Sequence, residues 1–133
     1  MRALGYAALV SLHRLFVYGS LLSGEPAHER LEGAAFLGPA TTAPGYALID
    51  LGRYPGLLVA PGTGTVVGEV YRVTTAVRDH LDLYEGHPVE FRRLGIGLSD
   101  GSGAEAYAFQ GGPSRGVMLP AGDWRKARRG RAR

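Results

Sequence analysis

The sequence predicts an α+β fold: a small mixed β-sheet, curled or closed into a barrel, with helices outside it. Two observations carry that expectation. Glycine and proline, 21 and 8 of the 133 residues, break the chain into short apolar or β-branched runs that suit strands rather than long helices. Only two stretches suit helices, one short and early, one longer and central, and a sheet with so few helices packs them against its outside. A chain of this length is one domain with room for a real core.

The elements follow in order. Leu12 to Tyr18 is a short continuous apolar run and reads as the first strand. Pro26 to Leu31 suits one or two helical turns, with the proline near the start, where its missing N–H is harmless. Ala43 to Leu51 and Gly56 to Ala60 are strand candidates on either side of the turn Gly52-Arg53-Tyr54-Pro55. TVVGEVYRV, Thr65 to Val73, is rich in β-branched and aromatic residues and apolar on both faces, as a central strand is. The period then changes. In TTAVRDHLDLYEG, Val77, Leu81 and Tyr84 fall on one helical stripe. Thr74 or Thr75 can cap its start, and Gly86 with Pro88 ends it. Val89 to Leu98 and Glu105 to Phe109 form a hairpin around Ser99-Asp100-Gly101.

Composition excludes several chemistries. There is no cysteine, hence no disulfide, thiolate metal site or thiol nucleophile. His13, His28, His80 and His87 show neither HxH nor HExxH spacing, so a zinc site has little support. The net charge of +3 belongs to the end of the chain. RKARRGRAR, residues 125–133, holds six of the fifteen basic residues and no acid, leaving nine basic against twelve acidic residues before it. Such a tail can touch nucleic acid or an anionic surface, but it reads first as a disordered, solvated end. The apolar run Ala3 to Leu12 is short for a signal peptide and lacks an A-x-A site, and His13-Arg14 interrupts a membrane span. Residues 1–12 therefore read as an N-terminal extension, 13–124 as the domain and 125–133 as the tail, with a cytoplasmic location expected.

Three acidic or hydroxyl residues invite chemistry. Glu85 closes the central helix, where the dipole disfavours a carboxylate and burial would raise its pKa toward the range a general acid/base needs. A solvated helix-end residue is the competing reading, and position alone leaves both open. Glu69 sits mid-strand on an apolar face and reads as an acid paired with a nearby arginine. Ser20 follows a strand, but G-x-S-x-G is absent and no histidine spacing demands a Ser–His pair. The glycine loop Tyr18-Gly19-Ser20-Leu21 offers another role. Gly19 permits a sharp turn and close approach, and successive amides of Gly19, Ser20 and Leu21 can form a nest for a small anion. No Walker lysine follows, so a carboxylate suits it better than a nucleotide phosphate.

In order along residues 14 to 124, the motifs LFVYGSLLSG, FLGPA, RYPGLLVA, VVGEVYRV, LDLYEG, AEAYAF and AGDW resemble the γ-glutamylcyclotransferase-like family, close to its small bacterial and γ-glutamylamine cyclotransferase-like branch. Leu22 departs from the polar or basic residue many members carry there. The resemblance implies the fold of that family, a small mixed β-barrel with flanking helices, and a cavity floored by the YGSL loop. It implies that Tyr18, Gly19, Ser20 and Leu21 hold the α-carboxylate of a γ-glutamyl group, that Glu85 is the general acid/base, and that Tyr54 and Tyr107 line the cavity. The implied reaction needs no cofactor or metal. The α-amine of a γ-glutamyl compound attacks its own side-chain amide carbonyl, giving 5-oxoproline and a released amine or amino acid. Two other functions stay open on the residues: a non-catalytic small-carboxylate-binding module of the same fold, and a protein anchored to nucleic acid or acidic lipid by its tail. Nucleic acid is the weaker expectation, since only the tail favours it. A membrane partner is not expected, and the chain reads as a monomer or homodimer.

Overall fold

The computed structural model describes residues 11–31 and 33–131. The N-terminal extension up to residue 10 and the last two residues of the tail lie outside them. Eight strands form one mixed sheet: β1 (Leu12–Val17), β2 (Ala35–Thr41), β3 (Tyr46–Asp50), β4 (Pro55–Val59), β5 (Val67–Thr74), β6 (Phe91–Gly97), β7 (Gly103–Phe109) and β8 (Val117–Met118). Helix α1 (Thr75–Glu85) follows β5, and helix α2 (Trp124–Arg131) ends the described chain. Single 3-10 turns lie at His28–Leu31 and Pro113–Arg115.

The strand order is β2-β5-β1-β7-β4-β3-β8, with β6 also paired to β7. β1 and β4 meet β7 in parallel, at Leu15–Glu105 and Leu57–Ala108, and the other pairings are antiparallel. A lone bridge between Thr42 and Leu98 joins the ends of β2 and β6, curling the sheet toward a barrel.

Strand alternation sorts the side chains into two cores. Phe16, Leu57, Val70, Ile96 and the alanines of β7 fill the inside of the curl. Leu15, Val17, Tyr71, Val73 and Tyr107 face the other way and pack against Leu81 of α1 and Leu31. This is why β5 is apolar on both faces: it separates the two cores, hydrogen-bonded to β1 and β2.

Helix α1 obeys its local signals. The Thr74 hydroxyl accepts from the Val77 amide, and Gly86, at φ 69°, ends the helix in the left-handed region where glycine is favoured. Leu81 is buried, whereas Tyr84 stands half out of the stripe with the Arg30 guanidinium 3.9 Å above its ring. Two strands escape the sequence reading. β2 contains Gly38 and Pro39, poor strand formers tolerated because β2 pairs with β5 alone apart from the bridge at its end. β8 is only two residues long.

The tail reading is corrected for residues 125–131: they belong to α2. Trp124 is buried in the inner core, and the Asp123 carboxylate caps the helix by accepting from the Lys126 amide at 3.0 Å. Arg125 and Arg128 turn back to Glu25 and Glu69. A basic segment that sequence alone leaves solvated is thus pinned by a tryptophan plug and acids far away in the chain.

Candidate active site

A cavity of about 160 Å³ opens where the loop after β1 meets the end of α1. The seven residues to which the resemblance assigns a place in the site all line it: Tyr18, Gly19, Ser20, Leu21, Tyr54, Glu85 and Tyr107; Glu69 does not. Six further residues complete the wall: Phe16, Val17, Pro55, Tyr84, Glu90 and Phe91.

The floor is the loop Gly19-Ser20-Leu21. Its three carbonyls all have partners in the segment that follows: Gly19 O accepts from the Leu22 amide at 3.0 Å, Ser20 O from the Ala27 amide at 3.0 Å, and Leu21 O is bonded by His28 Nδ1 at 2.8 Å. The amides of Gly19, Ser20 and Leu21 donate to no other described residue. Three successive N–H groups left over at a cavity form an arrangement that suits an anion.

Gly19 is needed here for a different reason from the one its sequence context suggests. Its φ is not in the left-handed region, and a Cβ there would lie 2.6 Å from both Cδ and Cγ of Pro55. The missing side chain lets β4 close against the loop.

Tyr18 is a brace. Its buried hydroxyl donates to the Tyr107 carbonyl at 2.6 Å and accepts from the Leu57 amide at 3.1 Å, tying together β7 and β4, which meet through a single bridge. Burial, then the nearby Glu85 carboxylate, hold this phenol far above its ordinary pKa, so it stays neutral.

Tyr107 presents its ring to the cavity, but its hydroxyl is committed to Asp82 Oδ1 at 2.6 Å. Arg93 grips the same carboxylate at 2.9 and 3.0 Å and reaches Glu105 at 2.8 Å. Burial works to raise the Asp82 pKa, but hydrogen bonds from Arg93 and Tyr107 outweigh it and hold the acid below the usual carboxylate range. Tyr54, at the rim, donates to Glu90 at 3.2 Å.

Glu85 behaves in the opposite sense. Burial pushes its pKa up, the Glu90 charge pushes the same way, and Arg30 offsets them only partly, so it rises from 4.5 to about 7. No hydrogen-bond donor holds it as an anion among the described residues. Two acids three residues apart therefore take opposite characters: Asp82 is locked as a carboxylate, while Glu85 can carry or release a proton near neutrality. The sequence reading missed Glu90, for which the only clue is its place just beyond the turn that follows Glu85.

The Ser–His alternative finds no geometry here. His28 is engaged with Leu21 O, and His87 Nδ1 accepts from the Arg93 amide at 2.9 Å. Among the described residues no cluster of three or more His, Cys, Asp or Glu suits a metal ion. Also among them, no helix is long and apolar enough to cross a membrane.

The fold and cavity define a class of small curled-sheet protein in which Glu85 and the Gly19-Ser20-Leu21 loop line one cavity. The chain belongs to the family described as gamma-glutamyl cyclotransferase, AIG2-like, whose model matches residues 15–126. A Vibrio cholerae protein that carries a gamma-glutamylcyclotransferase name is 42% identical over 112 residues, spanning 84% of this chain and 95% of that one. The gamma-glutamylcyclotransferase family protein YtfP of Escherichia coli is 37% identical over 111 residues, with coverage of 84% and 95%. The crystal structure of an AIG2-like protein from Mus musculus superimposes with a TM-score of 0.76 at 26% identity, covering 85% of this chain and 88% of that one. The predicted barrel-like α+β fold agrees with these neighbours.

Proposed function

We propose that this chain is a γ-glutamyl cyclotransferase and that Glu85 moves the proton. The amides of Gly19, Ser20 and Leu21 take the α-carboxylate of a γ-glutamyl compound. The substrate curls so that its α-amine faces its own γ-carbonyl carbon. The amine nitrogen attacks that carbon, forming the new C–N bond, and Glu85 takes a proton from the amine. The tetrahedral centre collapses, the original amide C–N bond breaks, and Glu85 returns the proton to the leaving nitrogen. The products are 5-oxoproline and a free amine or amino acid, with no water consumed. Because the attack is intramolecular, holding the curled conformer supplies much of the acceleration.

The observation that carries this reading is the pairing, in one cavity, of Glu85 near neutrality with three unpaired amides. The test is release of 5-oxoproline from γ-glutamyl amines and γ-glutamyl amino acids. The Glu85→Gln variant should bind but not turn over. A variant that keeps full activity would remove Glu85 from the mechanism. Binding of small carboxylates without any product from the wild-type protein would favour a non-catalytic module instead.

A further inference from the structure

Glu69 is a buried carboxylate in the middle of β5, 8% exposed, and the reaction above makes no use of it. Taking such a charge out of water is costly unless several donors surround it. Its donors come from three places in the chain. The Ser23 amide and hydroxyl each reach it at 2.9 Å, the Tyr71 hydroxyl at 3.0 Å, and Arg125 of α2 at 3.4 Å. Arg125 also donates to the Ser23 carbonyl and reaches its hydroxyl at 3.3 Å. Ser23 is therefore held at its amide, its hydroxyl and its carbonyl by one acid and one base that lie 56 positions apart.

Ser23 is two residues beyond Leu21, the last of the three free amides. The loop runs without regular structure from Tyr18 to the turn at His28. Its near end is fixed by the Tyr18 brace and its middle at Ser23, while the bonds of Ala27 to Ser20 O and of His28 to Leu21 O close its far end. An ion pair whose arginine is 35% exposed adds little to stability by itself. What this one supplies is a fixed place for the loop.

We propose that Glu69 and Arg125 are positioning residues that clamp Ser23 and so aim the Gly19–Leu21 amides into the cavity, making α2 part of the substrate-binding apparatus. The inference rests on the functional reading above only in its kinetic consequence. The α-carboxylate is bound alike in ground and transition states, so a loosened loop raises KM and leaves kcat within about twofold.

The test uses the full chain with Glu69→Gln, which keeps the shape but removes the charge, and with Arg125→Ala. Amide hydrogen exchange at Leu22 and Ser23 should speed up by about 10-fold or more in both, with the central strands still protected. KM for a turned-over γ-glutamyl substrate should rise by about 10-fold, and Arg125→Lys should recover part of it. Should Glu69→Gln fail to fold, Arg125→Ala and Ser23→Ala carry the same two readouts. Unchanged exchange at Ser23 would overturn the clamp. So would a fall in kcat and melting temperature with KM unmoved, the mark of a merely structural pair. If the wild-type protein forms no 5-oxoproline at all, the cyclotransferase reading fails while the exchange measurement still decides the clamp.

Discussion

Replacing Glu85 by glutamine should destroy turnover and, at the same time, stabilise the protein at alkaline pH. In the unfolded chain the carboxyl titrates near 4.5, and in the folded cavity near 7. Below 4.5 both states hold the proton, and the site costs nothing. As pH rises past 4.5 the unfolded state ionises first, so the native state loses ground, and the loss is complete once pH exceeds about 7. Each pKa unit is worth about 1.4 kcal/mol, so the full penalty is at most about 3.5 kcal/mol, and about 1.5–3 once partial solvent screening is allowed for.

Glutamine carries no charge to desolvate, and it removes the unfavourable carboxylate from the helix C-terminus, worth about 0.3–1 kcal/mol when ionised. Thermal melts of both proteins at pH 4 and pH 8 isolate the effect, because every other titration is common to the two. The Glu85→Gln variant should match the wild type at pH 4 and melt roughly 5–10 °C higher at pH 8. An equal difference at both pH values, or a less stable variant at pH 8, would refute the claim that the cavity desolvates Glu85.

Three further outcomes follow from the same geometry. The pH profile of kcat/KM should have an acid limb near 7, activity rising as Glu85 ionises, and Glu90→Gln should move that limb to lower pH by removing the neighbouring negative charge; an unmoved limb would leave Glu90 without that role. Tyr18→Phe strands the Leu57 amide and the Tyr107 carbonyl and should cost about 1–3 kcal/mol by denaturant titration, with a negligible loss ruling out the brace. Gly19→Ala forces a Cβ against Pro55 and should both destabilise the fold and weaken binding of small carboxylates; an alanine variant that melts and binds as the wild type does would contradict the close approach.

Three partly buried carboxylates run opposite to Glu85. Burial works against Glu69, Asp82 and Glu105, but Ser23, Arg93 and Arg78 with their neighbouring donors more than compensate, holding all three below the usual range. Their contribution to stability is present above the ordinary carboxylate pKa and is lost as pH falls through the lowered one. Arg125 and Arg128 of α2 likewise spend their charge inside the protein, on Glu25 and Glu69, which leaves less of the tail for an external polyanion.

By itself the sequence determined what is local. Thr74 and Gly86 mark the ends of α1, the Ser99-Asp100-Gly101 turn sets the β6–β7 hairpin, and the β-branched run at 65–73 makes a strand, because each depends on a few adjacent torsions and side chains. The YGSL loop and Glu85 were visible as a short motif and an acid at a helix end, but position alone left the character of Glu85 open. Tertiary structure alone decided the rest, since it required residues distant in the chain to meet. Gly19 is empty because Pro55 lies against it. Tyr107 spends its hydroxyl on Asp82. Glu85 titrates near neutrality because folding buries it beside Glu90. The basic tail becomes a helix because Trp124 enters the core and Glu25 and Glu69 receive its arginines. Electrostatic character depends on distance through space and on access to water, and neither is written in the order of residues.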